Sequence, residues 1–244
     1  MILHQAPDHL LFLHGEMTAD WHSHHFIQIG IGQFKLTIEG QDAETINALV
    51  IGSKVKHRLE ALSSQCATLL VDNTSDFGRF LQESVLKHGP VARLSACDVE
   101  LSYPSLLASL ATRLGYLPHK LQLDHRMSLL LELLAADPTI SLATLGERVN
   151  LSPSRLSHVF KQQMHMSFRS YQRHIKIITA IRLLRNANKL TDIALEAGFN
   201  DSAHFSNTIR EYFGTSPKTA LAALEYHEHS HSIGQLVASS AVEA

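Results

Sequence analysis

The chain has 244 residues, 45% of them hydrophobic and 18% charged, with a formal net charge of −2. This composition supports a sizeable core and excludes disorder over most of the length. No apolar run approaches the roughly 18 residues of a membrane-spanning helix, and the first 15 residues, broken by His4, Asp8, His9 and His14 without a basic start, do not read as a secretory leader. Two cysteines, Cys66 and Cys97, give no disulfide framework, so a reducing compartment and a cytoplasmic protein are expected.

Charge is unevenly placed. Residues 139–218 hold eleven Lys or Arg and five Asp or Glu, a net +6, while the rest carries 10 basic and 18 acidic residues, a net −8. A basic block joined to an acidic one points to an anionic partner for the C-terminal part alone.

Residues 18–75 read as strands. Residues 26–38 are rich in aromatic and β-branched types, and Phe34, Leu36 and Ile38 alternate with polar neighbours. Glu39-Gly40-Gln41-Asp42 reads as a turn, followed by short strands over 46–51 and 67–71. An antiparallel sheet or small barrel over 1–75 fits this pattern. From Asp76 the period becomes helical, with Phe77, Phe80, Leu81 and Val85 on one face and His88-Gly89-Pro90 as the stop. Pro104 opens a further helix that Gly115 and Pro118 close. Residues 121–136 form another amphipathic helix, ended by Asp137-Pro138, and helices continue to about 224. Residues 226–244, rich in Ser, Ala and His, read as a flexible tail in which His227, His229 and His231 alternate. The expected fold is therefore α+β, a β domain followed by an all-α domain.

The basic block repeats itself. Leu142, Leu145, Gly146 and Val149 recur 48 residues on as Leu190, Ile193, Ala194 and Ala197; after one inserted residue, Leu156, Phe160 and Ser167 match Phe205, Ile209 and Ser216. Each copy reads as helix, tight turn, helix. Asn150 and Gly198 hold equivalent places, and both residue types tolerate the left-handed backbone of a sharp corner. Gly146 and Ala194 are small where the second helix must cross the first, and Leu151 and Phe199 plug the corner. Ser152 caps one second helix, with Pro153 at its first position, and Asn200 or Asp201 caps the other. This is the helix-turn-helix arrangement, whose second helix lies in the DNA major groove.

Residues 141–160, Ser167-Phe168 with Tyr171, Ala180 with Leu183-Leu184, Ile193-Ala194, Gly198-Phe199, His204-Phe205 and Tyr212-Phe213-Gly214-Thr215-Ser216-Pro217 resemble the DNA-binding domain of AraC/XylS-type transcription regulators. The resemblance covers about residues 124–224 and implies a DNA-binding domain over 119–225. In it two helix-turn-helix units, about 142–163 and 190–213, are held apart by a long linking helix over about 168–186. Two recognition helices then enter successive major grooves. The resemblance further implies a bacterial activator, RNA polymerase as a partner, a cupin-like effector-sensing barrel at the N-terminus, and residues 76–118 as a helical linker used in dimerisation.

On the first recognition helix Ser154, Arg155, Ser157, His158 and Lys161 are the expected DNA-facing residues; Leu156, Val159 and Phe160 are core. On the second, Ser202, Ala203, His204, Asn207 and Arg210 face outward, and Asn207 suits a paired contact with adenine. Ser202 and Ala203 are short, which favours a backbone grip over base readout by this unit. Arg169, Arg173 and Lys176 share a face of the linking helix and, with Lys218, are read either as phosphate contacts or as solvated charge. His165 stands where the family usually has glycine.

Residues 21–28 hold a dense histidine cluster. His22, His24 and Gln28 fall on one face of an extended chain, and His57 follows some thirty residues later. The pattern resembles the metal motif of cupin barrels, with Gln28 in place of the usual carboxylate. Imidazoles at this spacing can hold Zn, Ni, Cu or Fe. A divalent metal, barrel-mouth histidines with a small-molecule effector, and an acidity sensor all remain open. The functional expectation is a non-enzymatic, sequence-specific DNA-binding regulator; a metal-dependent cupin enzyme or metal sensor fused to a helical domain, and a helical adaptor without DNA, are the alternatives. No nucleophile constellation or phosphate-cradling Gly-rich loop is present.

Overall fold

The computed structural model describes residues 1–95, 100–118, 125–164, 166–183, 189–217 and 225–240. Cys97, His165 and Lys218 lie outside the described residues. The chain divides into two compact units, Met1–Lys120 with Ile209–Ala244, and Leu121–Thr208. The 1–75 and 76–118 segments expected as separate regions thus fall in one unit, which also takes the end of the chain. Among the described residues no helix is long and apolar enough to cross a membrane.

The first unit is built on β1 (Ile2–Ala6), β2 (His9–His14), β3 (Met17–His22), β4 (Phe26–Ile38), β5 (Glu44–Ile51), β6 (His57–Ala61), β7 (Cys66–Asp72), β8 (Val91–Arg93) and β9 (Glu225–Glu228). The sheet runs β3-β6-β4-β7-β2-β1-β9, with β5 paired to β4 and β8. Strand β4 changes neighbours midway: Phe26–Ile31 pairs with β7 and Phe34–Ile38 with β6. Gly32 makes the switch possible. It sits at φ 112°, inside the register shift against β5, and a Cβ there would come 2.8 Å from the Cys66 sulfur. Among the described residues no pairing joins β3 to β9, so the expected barrel is a curved open sheet.

Alternation along the strands divides the core in two. Ile27, Ile29, Ile31, Ala48, Val50, Leu69 and Val71 pack with Leu106, Leu107, Leu110 and Ala111 of α2 (Ser105–Arg113) and with Phe77 of α1 (Asp76–Phe80), which runs into a π turn at Leu81–Val85. Phe34, Leu36, Leu49, Ile51 and Leu59 form the second cluster. Gln28, between Ile27 and Ile29 and opposite Ile51 in register, belongs to the second face.

Two segments differ from expectation. Strands β1 and β2 extend the sheet N-terminal to residue 18; β2, with Leu10 and Leu11 both fully buried, lacks the alternation that marks a one-sided strand. The expected flexible tail is ordered over 225–240: β9 pairs parallel to β1, and α9 (Ile233–Ser240) places Ile233 in the core, its amide donating to the Asp8 carboxylate. The partner strand lies more than 200 residues upstream, where no local pattern reports it. His227 and His229 are held by stacking. His4 lies 5.0 Å from His227 and 5.2 Å from His229 between ring centroids, and Tyr103 lies 3.8 Å from His229.

The second unit contains α3 (His125–Ala136), α4 (Leu142–Arg148), α5 (Pro153–Met164), α6 (Phe168–Leu183), α7 (Leu190–Glu196) and the start of α8 (Ser202–Phe213). Its core joins Met127, Leu130, Leu134, Leu145, Leu156, Phe160, Phe168 and Tyr171.

Ile233→Ala should lower stability by about 2–5 kcal/mol, as for other fully buried aliphatic truncations, measurable by denaturant unfolding; an unchanged midpoint would contradict the docked tail. Burial first, then the facing His227, His229 and His9, pushes His4 down to about 4, against an opposing pull from Glu225. Its proton is therefore taken up more readily by the unfolded chain. The stability it contributes is present above about pH 6.5 and is lost as pH falls towards 4. Thermal unfolding over that range should weaken more steeply in the wild type than in His4→Phe; parallel profiles would contradict the assignment.

Candidate nucleic-acid interface and histidine pocket

The two helical corners are built alike. In the first, Asn150 stands at φ 54° and the Leu151 N–H donates to the Gly146 carbonyl at 2.9 Å. In the second, Gly198 stands at φ 82° and the Phe199 N–H donates to the Ala194 carbonyl at 2.8 Å. These are the pairs the repeat matched. Gly146 is needed for the crossing, since a Cβ would come 2.5 Å from the Leu151 carbonyl oxygen. The following helices start on equivalent caps: Ser152 Oγ accepts the Arg155 N–H, and Asp201 Oδ1 accepts the His204 N–H at 2.7 Å. Asp201, rather than Asn200, is thus the second cap.

On α5, Ser154, Arg155, Ser157, His158 and Lys161 are all exposed, while Leu156, Phe160 and Met164 are buried. On α8, Ala203, His204, Asn207 and Arg210 are exposed and Ser202 is half-buried, while Phe205, Thr208, Ile209 and Tyr212 are buried. The His204 ring also meets Phe199 edge-on at 5.4 Å. Each helix therefore presents one polar ridge backed by an apolar face.

The linking-helix cations differ among themselves. Arg169 is exposed; Arg173 and Lys176 are half-buried. Lys176 donates from Nζ to the Gly198 carbonyl at 2.6 Å, and burial lowers its pKa, opposed by Asp137. Its ammonium is committed to the second corner, which sequence spacing alone did not reveal. The corner is also tight: a Cβ on Gly198 would lie 2.7 Å from Thr139 Cγ2.

The N-terminal cluster gathers as a buried pocket. His22 and His57 face each other across β3 and β6, with ring centroids 4.2 Å apart. His24 completes the group, and one ligand atom from each of the three histidines lies within 4.8 Å of the others. Each Nδ1 is anchored to a backbone carbonyl: His22 to Asp20 at 2.7 Å, His24 to Phe26 at 3.1 Å, His57 to Val55 at 2.9 Å. Gln28 Oε1 lies 3.0 Å from His24 Nε2 and 3.2 Å from His57 Nε2. Desolvation holds all three imidazoles below their ordinary range, His57 at about 4, so they are neutral near pH 7. The four predicted residues are thus brought together, as neutral nitrogen and oxygen donors suited to a transition metal rather than to magnesium or calcium.

Comparisons agree with this layout. A family model described as "Helix-turn-helix domain" matches residues 145–223. The arabinose operon regulatory protein of Escherichia coli is 34% identical over 91 residues, 37% of this chain and 31% of the relative. The HTH-type transcriptional activator RhaR of Pectobacterium carotovorum is 33% identical over 129 residues, 50% of this chain and 45% of the relative. The chain thus spans less than half the length of these relatives. A crystal structure of ToxT from Vibrio cholerae matches 88% of this chain and 97% of its own at a TM-score of 0.53 and 15% identity, which establishes a shared α+β fold. Residues 145–223 of the chain thus carry a helix-turn-helix domain.

Gly198→Val should destabilise the second corner by about 1–3 kcal/mol from backbone strain alone, with the Thr139 overlap added. A thermal midpoint and a helical circular-dichroism signal equal to wild type would contradict the corner's geometry.

Proposed function

We propose that the protein is a sequence-specific DNA-binding transcription regulator, with α5 and α8 as recognition helices for successive major grooves. The observation that carries this reading is the duplicated corner, each copy followed by an exposed polar ridge, within the one basic block of the chain. Ser157, His158 and Asn207 lie on those ridges. On α5, His158 and Lys161 suit guanine edges or phosphate; on α8, Asn207 suits adenine. Arg169 and Arg173 contact phosphate, as does Lys218. Lys176 instead fixes the Gly198 corner. The relatives' names describe a regulator and an activator, which supports activation; a non-enzymatic role in the cytoplasm with RNA polymerase as partner goes with that reading.

The N-terminal unit acts as the sensor, taking a small molecule or metal, and its helices serve homodimerisation. One ToxT structure is described as bound to an unsaturated fatty acid, so this fold accommodates a ligand in that protein. A metal sensor is the second reading, favoured by the three convergent histidines.

Binding to fragments selected from genomic DNA, titrated with salt, tests the assignment. His158→Ala with Lys161→Ala should relax or abolish site choice; an unchanged preference would refute the assigned face. Arg169→Ala should flatten the salt dependence by about 0.9 in log–log slope per lost phosphate contact, whereas Lys176→Met should weaken binding with the slope unchanged. A flattened slope for Lys176→Met would place its ammonium on the duplex instead.

A further inference from the structure

The three histidines share an unusual electrostatic arrangement. With each Nδ1–H donating to a carbonyl, every Nε2 carries a lone pair, and Gln28 Oε1 points a further lone pair at two of them. Two arrangements relieve that conflict. The amide can turn to donate its N–H groups to both imidazoles, or a cation can sit among the four donors. All four donors are neutral, so a bound dication would keep its full charge in the pocket.

Strand β3 connects this pocket to a second feature. His22 stands between Asp20 and Ser23, whose backbone N–H groups donate to the Gly214 and Glu211 carbonyls, each at 3.0 Å. These carbonyls stand at the C-terminal end of α8, and Asp20 lies on β3, the outer strand of the sheet path. Gly214, at φ 64°, permits the approach; a Cβ there would overlap the Asp20 backbone. Both bonds lie within the unit formed by Met1–Lys120 and Ile209–Ala244.

We propose that a divalent transition metal bound by His22, His24 and His57, with Gln28 as fourth donor, tightens the hold of β3 on the last turn of α8. The metal fixes His22 and with it the flanking amides. Its charge also favours the negative end of the helix and the Glu211 carboxylate.

The full chain, stripped with a chelator, is titrated with cobalt(II) and followed by visible absorption and by hydrogen exchange. One equivalent should bind with ligand-field bands. His57→Ala should abolish those bands, while Gln28→Glu, which supplies a carboxylate and keeps the fold readable, should retain them and bind more tightly. The double variant His227→Ala with His229→Ala should bind as wild type. Cobalt should slow exchange at the amides of Asp20 and Ser23 about fivefold or more. Gly214→Ala should bind cobalt normally and lose that response. Absence of the bands in wild type and in Gln28→Glu would overturn the metal site. Unchanged exchange with cobalt bound would overturn the coupling while leaving the metal site standing.

Discussion

A helix cannot turn sharply into another helix unless one residue takes a left-handed backbone and one position is small enough for the crossing. Everything assigned to the C-terminal half follows from meeting that constraint twice. Asn150 and Gly198 supply the backbone, and Gly146 and Ala194 supply the small position. One hydrogen bond of equal span then closes each corner. With the corners fixed, the apolar faces of α5 and α8 have only one way to be buried, and their polar ridges are left to solvent. Lys176 adds a tie from the linking helix to the second corner.

The N-terminal unit obeys a different constraint. A long strand, β4, serves two sets of neighbours, and the change of partner at Gly32 lets the sheet curve. Curvature gives the sheet an inner face. On it, β3, β4 and β6 deliver imidazoles and an amide to one buried place. Burial keeps these groups neutral, and backbone carbonyls fix their tautomers. The amides of Asp20 and Ser23 then donate to carbonyls at the end of α8.

Local features were legible in the sequence and distant pairings were not. The corners, the caps and the ridge residues are set within about twenty residues of chain, and the repeat exposed them. Period-two alternation groups His22, His24 and Gln28 as one strand face, but His22 ends β3, His24 stands in the connection and Gln28 lies on β4, so the fold and not one extended strand brings them together. That His57 stands directly across from His22 depends on strand register, which spacing alone does not give. Strands β1 and β2 were missed because buried-both-sides strands lose alternation, and the docking of β9 and Ile233 because their partners lie at the other end of the chain. Lys176 looked like a surface cation because its acceptor, the Gly198 carbonyl, is made available only by the corner's fold.

Hydroxyl-radical footprinting of the full chain on a selected genomic fragment tests the central claim most directly. Two protected segments on one face of the duplex, about one helical turn or 10 base pairs apart, are predicted. A single protected segment, or protection on opposite faces, would contradict a pair of recognition helices acting together.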